Sequence, residues 1–289
     1  MDIIFLLNIS FQMLNKNFKK NTIGIIGGRG ALGAYFAKLF RNGDVKVLIS
    51  DLNTKLSNEE LIKKSDIVIF SVPLHLATEI IAKNIKFLRK DQLVMDFTSL
   101  KSLQIKEMLK SKAQVIGMHP MFGPSILSPK NQIVLYSPAR TILEKKFVKF
   151  IKSFGFIVEK IDPQKHDKLM SIVQVLIHFK AIVLGKALEN LKIDIKDTLK
   201  VASPAYQMEL AMVGRIFAQD PNLYGAIEIM NPESKKVLNI LEESFNLYKD
   251  IILEKDLKKF CKEFEKTSDF MGGYCKKALD KTSKLFKYL

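Results

Sequence analysis

The run Gly28-Arg29-Gly30-Ala31-Leu32-Gly33, placed directly behind the apolar segment Thr22-Ile23-Gly24-Ile25-Ile26, constrains this chain more than any other feature. In a strand-to-helix turn, the first glycine permits the tight bend. The second removes a side chain where a pyrophosphate would approach, and the third lets the helix pack closely on the strand. The helical stretch that follows, Ala34 to Arg41 with Gly43 as a stop, aims its N-terminal N–H groups and positive dipole at that space. Three spaced glycines alone are a weak signal, but the next strand, Val45 to Ile49, ends in Ser50 and Asp51, 23 positions after Gly28. A carboxylate there accepts hydrogen bonds from both ribose hydroxyls and repels a 2′-phosphate. The expected ligand is therefore NAD rather than NADP, held by Gly28, Gly30, Ala31, Leu32, Gly33 and Asp51. The run Ser71-Val72-Pro73-Leu74-His75, after a third strand, is expected to line the same site through Ser71 and Pro73.

Further apolar runs follow at Ile67–Phe70, Leu93–Met95, Val115–Ile116, Ile133–Leu135 and Phe156–Val158, most of them separated by helix-like segments. Short buried strands alternating with helices predict a parallel sheet covered on both faces. After Ile161 the strand pattern stops. Asp162-Pro163 is a helix start, with Asp as N-cap and Pro at the first helical position. Ser203-Pro204 and Asn231-Pro232 mark later helix boundaries. The reading is α/β. Residues 1–20 form an extension, 21–161 a Rossmann-type dinucleotide-binding domain, and 162–289 an all-α domain. The last carries more amphipathic apolar surface than one small bundle buries, which predicts a homodimer joined through it.

Composition narrows the function classes. The 289 residues are 47% hydrophobic and 26% charged, which excludes a disordered or low-complexity chain. The net charge is +16, yet only five of the 46 basic residues are arginine: Arg29, Arg41, Arg89, Arg140 and Arg215. The lysines are scattered through helical stretches, whereas nucleic-acid binders cluster charge on one face, so no nucleic-acid partner is expected. A positive field also attracts anionic substrates. No apolar run approaches the roughly 18–20 residues of a membrane span, and the opening Ile3 to Leu7 is too short. Cys261 and Cys275 cannot build a disulfide framework or a zinc cage, so no metal is expected. The chain reads as cytoplasmic.

Four histidines occur, at positions 75, 119, 166 and 178. His119 lies in Gly117-Met118-His119-Pro120-Met121-Phe122-Gly123-Pro124. The glycines and prolines predict a rigid loop directly after the strand Val115-Ile116, at the sheet edge where α/β proteins bind ligands. A histidine there is placed to act as acid or base beside a nicotinamide. His166, Met170, Gln174 and His178 follow a four-residue spacing and are expected to share a helix face. Arg215 interrupts the apolar stretch Leu210 to Phe217 and calls for an anion, either a bidentate carboxylate ligand or Glu209.

These runs resemble the prephenate dehydrogenases of tyrosine biosynthesis, most of all the dehydrogenase part of the bifunctional chorismate mutase–prephenate dehydrogenases. The segments that carry the resemblance are Gly117–Pro124, Ser71–His75, Phe97–Lys101, Lys165–Asp167, Gln174 with His178-Phe179, and Glu209–Asp220. The resemblance implies NAD-dependent oxidative decarboxylation of prephenate to 4-hydroxyphenylpyruvate, with arogenate as the alternative substrate. It implies His119 as the base, with Ser99 close by to orient the ring, and Arg215, His178 and Gln174 as substrate contacts. His166 is expected to be structural, a partner for a carbonyl or for Asp167. Gln207 and Ile177 depart from the family, standing where relatives often carry arginine. A non-catalytic NAD-binding regulator would not need His119 and Arg215, both of which are present.

Overall fold

Each of the seven apolar runs forms a strand, and their pairing builds one sheet. The computed structural model describes residues 18–288, so the expected extension over 1–20 lies almost wholly outside the described residues. The strands are β1 (Thr22–Ile26), β2 (Lys46–Ser50), β3 (Ile67–Phe70), β4 (Leu93–Asp96), β5 (Gln114–Pro120), β6 (Ile133–Arg140) and β7 (Ile157–Lys160), in the order β2-β1-β3-β4-β5-β6-β7. β1 to β5 run parallel, while β6 pairs antiparallel with β5, and β7 is parallel to β6. The sheet is thus mixed rather than parallel throughout. No helix lies between Pro120 and Ile133 to carry a crossover, and parallel pairing requires one.

Alternate strand residues serve opposite faces, as the two-residue period demands. On one face, Ile23, Ile25, Ile67, Ile69, Ile116 and Met118 pack with Phe36 and Phe40 of α1 (Ala31–Asn42) and Phe147 and Ile151 of α5 (Glu144–Lys152). On the other, Val68, Phe70, Val94 and Val115 meet α2 (Asn58–Lys63), α3 (Leu74–Asn84) and α4 (Ser102–Met108). Moving from β1, the chain goes to β2 on one side and β3 on the other. The crevice at that reversal, outside the C-terminal ends of β1 and β3, is where open α/β sheets bind ligands.

A short helix, α6 (Pro163–Met170), ends the first compact unit, which divides from the second after Met170. Asp162 caps α6 by accepting the N–H groups of Gln164 and Lys165, each at 3.0 Å. The second unit is helical: a π-helical turn Ser171–Leu176, then α7 (Ile177–Asn190), α8 (Ile195–Lys200), α9 (Pro204–Phe217), α10 (Pro221–Met230), α11 (Ser234–Leu253), α12 (Leu257–Met271) and α13 (Tyr274–Leu285). Ser203 caps α9 ahead of Pro204, and α10 stops before Asn231-Pro232. No uninterrupted apolar run of span length occurs in the helical stretch, but its average hydropathy is high. Pro163–Asn190 contains an 18-residue window of mean hydropathy 1.6, so among the described residues one helix is long and apolar enough, by length and composition, to cross a membrane. Gln174, His178 and Lys180 break up its apolar run without lowering the average below that level.

Candidate functional site

The glycine turn is built as a cradle. Gly27 and Gly28 both donate N–H to the Ser50 carbonyl, at 2.8 and 3.2 Å. The left-handed residue is Gly27, with φ +79°, one place before the expected glycine; a Cβ there would lie 2.2 Å from the Ser71 carbonyl oxygen. Gly28 is needed for a different reason, since its Cβ would strike Ile49 at 2.6 Å, and a Cβ on Gly33 would lie 2.4 Å from Gly27 O. Gly30 is the roomier position, with nothing nearer than Gly27 O at 3.3 Å. Beyond it, the first N–H groups of α1, from Ala31 to Gly33, have no i−4 partner within the helix.

Asp51 closes the far side. Its Oδ2 accepts the Arg29 N–H and its Oδ1 the Leu52 N–H, both at 2.8 Å, and each oxygen keeps a lone pair for a further donor. The Arg29 guanidinium is tied to the Asn53 carbonyl at 3.2 Å. Ser71, held by its N–H to Ile26 O at 2.8 Å, and the exposed Pro73 at the head of α3 flank the crevice. His75 is exposed on the first turn of α3. Amide donors for a pyrophosphate and acceptors for a ribose thus stand together, so these residues fit a dinucleotide.

His119 is not in a loop. It lies within β5, paired with Leu135 of β6, and is buried. Gly117 and Pro120 are tolerated there because β5 continues past the end of β4 and finds β6 as a new partner; Phe122, stacked on Phe156 at 5.5 Å, pins the chain where it leaves the strand. The His119 Nδ1 is 2.9 Å from His166 Nε2, and His166 Nδ1 is 2.8 Å from Asp167 Oδ1. Asp167 also accepts the backbone N–H groups of Lys101 at 2.7 Å and Ser102 at 2.9 Å.

This geometry sets the tautomers. A carboxylate only accepts, so His166 carries its proton on Nδ1 and offers a lone pair at Nε2. His119 then donates from Nδ1, and its own Nε2 is left with a lone pair, the requirement for a base. Burial holds the His119 pKa well below the ordinary 6.5, and the neighbouring His166 and Lys101 add to the effect. Burial likewise lowers the His166 pKa, against the pull of its bond to Asp167. Burial pushes the Asp167 carboxyl up, but hydrogen bonds from His166, Ser102 and Lys101 together hold it below its usual value. Lys101 is fully buried, with its ammonium bonded to Asp96 and, at 2.9 Å, to the carbonyl of Met118, the residue before His119. Burial lowers its pKa while Asp96 pulls it back up.

The expectation that His166 partners Asp167 holds, but its second bond, to His119, was not legible in the sequence, nor was the role of Lys101. The run Lys165-His166-Asp167 was the available signal. Ser99 follows β4, half-buried; the register of β4 on β5 ends with Asp96 opposite Gly117, so Ser99 and His119 both lie just beyond the last β4–β5 pair.

Within the helical unit, Gln174 lies on the π turn and His178 on the first turn of α7, so their spacing does not run through regular α-helix. His178 packs edge-on against Tyr224 of α10, with ring centroids 4.9 Å apart, and faces Glu228. Arg215 is exposed on α9, and Glu209 pairs with Lys180 at 2.8 Å rather than with Arg215. Burial pushes up the Tyr224 hydroxyl pKa, with the nearby Arg215 guanidinium opposing it. Arg215, His178 and Tyr224 thus form one cluster, while Gln174 stands on the π turn, which packs against α10.

Residues 44–145 match the family model described as the prephenate dehydrogenase nucleotide-binding domain, and residues 162–266 match the prephenate dehydrogenase dimerization domain. A probable arogenate/prephenate dehydrogenase of Methanocaldococcus jannaschii is 35% identical over 277 residues, 89% of this chain, which spans 62% of that relative's length. A T-protein of Haemophilus influenzae is 31% identical across 96% of this chain and 74% of its own. In fold, the chain is similar to the arogenate dehydrogenase of Synechocystis, with TM-score 0.67 at 17% identity over 88% of this chain and 99% of that one. It is also similar to the prephenate dehydrogenase of Aquifex aeolicus in complex with hydroxyphenyl propionate and NAD+, with TM-score 0.66 at 22% identity over 87% and 98%. Matches to both domains, together with a relative alike across nearly the whole sequence, place one conclusion on this crevice and its histidine relay: the chain belongs to the prephenate dehydrogenase family.

Proposed function

We propose that this chain catalyses the NAD-dependent oxidative decarboxylation of a cyclohexadienol of the prephenate type: prephenate giving 4-hydroxyphenylpyruvate or, as the alternative, arogenate, which carries an amino-acid side chain in place of the keto acid. The observation that carries the reading is the relay Asp167–His166–His119, which leaves an unprotonated Nε2 beyond the same sheet edge as the glycine cradle. Bound NAD supplies the acceptor for the hydride leaving the ring carbon that bears the hydroxyl. His119 Nε2 takes the hydroxyl proton as that carbon becomes a carbonyl. The bond to the ring carboxylate then breaks, its electron pair aromatises the ring, CO2 departs, and the proton held on His119 returns to the phenolic oxygen. Ser99 orients the ring, Arg215 holds a carboxylate, and His178 and Gln174 contact the rest of the substrate. Asp51 reads the ribose and favours NAD over NADP.

We place the protein in a homodimer. Exposed apolar side chains on the helical unit, including Val183, Phe217, Ile229 and Phe245, support a partner surface, in keeping with the dimerization-domain match. The test of function is the absorbance of NADH formed on adding prephenate, with arogenate in parallel. No NADH from either, with NAD bound, would sink the reading.

A further inference from the structure

Four polar atoms in the helical unit are buried without a hydrogen bond: Glu228 Oε1 and Oε2, Gln174 Oε1 and His178 Nδ1. Glu228 Oε1 lies 3.6 Å from His178 Nδ1, an ion-pair contact longer than a hydrogen bond. Tyr224, one turn before Glu228, closes against the imidazole, and the π turn that bears Gln174 packs on the same helix. Three of the four atoms are oxygens that can only accept, and the His178 ring is the donor that faces Glu228, at 3.6 Å. The cluster is short of donors. Buried acceptors left unpaired bear the full cost of their desolvation, so such a group is completed by a ligand rich in N–H.

The carboxylate also decides what His178 presents. Facing an acceptor, Nδ1 takes the proton of the neutral ring, and Nε2 keeps a lone pair. The side chain is 20% exposed, so the ring offers an acceptor backed by a negative charge. The surrounding charges do not cancel it. On α7, Lys186 pairs with Glu189 and Lys180 with Glu209 of α9, while Arg215 of α9 makes no ion pair among the described residues. A carboxylate–imidazole pair and a lone guanidinium complement a zwitterion, with an ammonium on the first and a carboxylate on the second.

We propose that Glu228, acting through His178, is a specificity-determining residue that selects an α-ammonium on the substrate side chain, so that the amino-acid cyclohexadienol is taken in preference to the keto acid. This rests on the dehydrogenase reading above. A keto acid brings only acceptors to Nε2 and leaves the donor deficit in place.

The experiment compares kcat/KM for arogenate and prephenate with saturating NAD, in the parent chain and in Glu228→Gln, and reads the His178 tautomer from long-range proton–nitrogen NMR of the four histidines. We expect arogenate to be favoured by roughly tenfold or more in the parent. In Glu228→Gln that ratio falls by about tenfold, with the change in the KM for arogenate, and the Nδ1–H form of His178 loses its preference. Equal or better use of prephenate by the parent overturns the inference and leaves the dehydrogenase reading intact, whether or not the variant folds. A parent that oxidises neither substrate overturns both. A ratio unmoved by Glu228→Gln, or a parent His178 protonated on Nε2 alone, removes Glu228 from the role.

Discussion

Both units set a histidine against a carboxylate, and the two arrangements differ in how completely their hydrogen bonds are made. In the α/β unit, Asp167 accepts three N–H groups and passes orientation through His166 to His119. In the helical unit, Glu228 stands 3.6 Å from His178 with neither oxygen hydrogen-bonded. A closed network fixes one tautomer and one ring position, which a base needs before substrate arrives. An open one still has bonds to make, which suits recognition. The first is anchored between strand ends and α6, the second on helix faces that rely on side-chain packing alone.

The comparison breaks most sharply at His119. His119→Asn removes the only lone pair the relay prepares, so kcat falls roughly 10²–10⁴-fold with NAD affinity retained. A kcat within a few-fold of the parent would make the relay structural. Arg215→Ala acts on binding instead: losing a charged hydrogen-bond partner raises the KM about 10–150-fold while kcat is largely kept. A fall in kcat with unchanged KM would contradict that division.

Asp167→Asn tests whether orientation travels along the relay. The amide can donate toward His166, which disfavours the Nδ1–H form, and losing a hydrogen bond to a charged group costs about 10–150-fold. The loss belongs in kcat; unchanged kinetics would show that His119 is held by its strand alone. Asp51→Ala is a smaller change, lowering the preference for NAD over NADP by about tenfold. Equal kcat/KM for the two cofactors in the parent would refute the role of Asp51.

Acidity gives the mildest test. The His119 pKa is depressed, so the base stays unprotonated through neutrality and the acid limb of the rate profile lies well below pH 6.5. With the folded pKa values of His119 and His166 both lowered, the stability they contribute is complete above the unfolded value of about 6.5 and is lost as pH falls toward the folded values. Melting temperature therefore declines as the pH drops from about 7 to about 5.5. A rise over that interval would mean that these histidines are protonated in the folded state.

The sequence by itself determined what depends on neighbours along the chain. Seven apolar runs became seven strands, Asp162, Ser203 and Asn231 marked helix ends, and the glycines with Asp51 marked the nucleotide crevice, because turns, caps and periodicity are local physics. Tertiary structure decided whatever depends on which strands and helices meet. Gly117 and Pro120 read locally as loop, yet pairing with β6 holds His119 inside a strand. The π turn that carries Gln174 is invisible to a four-residue count. His166 lies 47 positions from His119 and Asp167 lies 66 from Lys101, so the bonds that choose the His119 tautomer exist only after the chain has folded back on itself. The residue types needed for the chemistry can be read in order along the chain, but a proton's position on a ring is set by the partner across the fold.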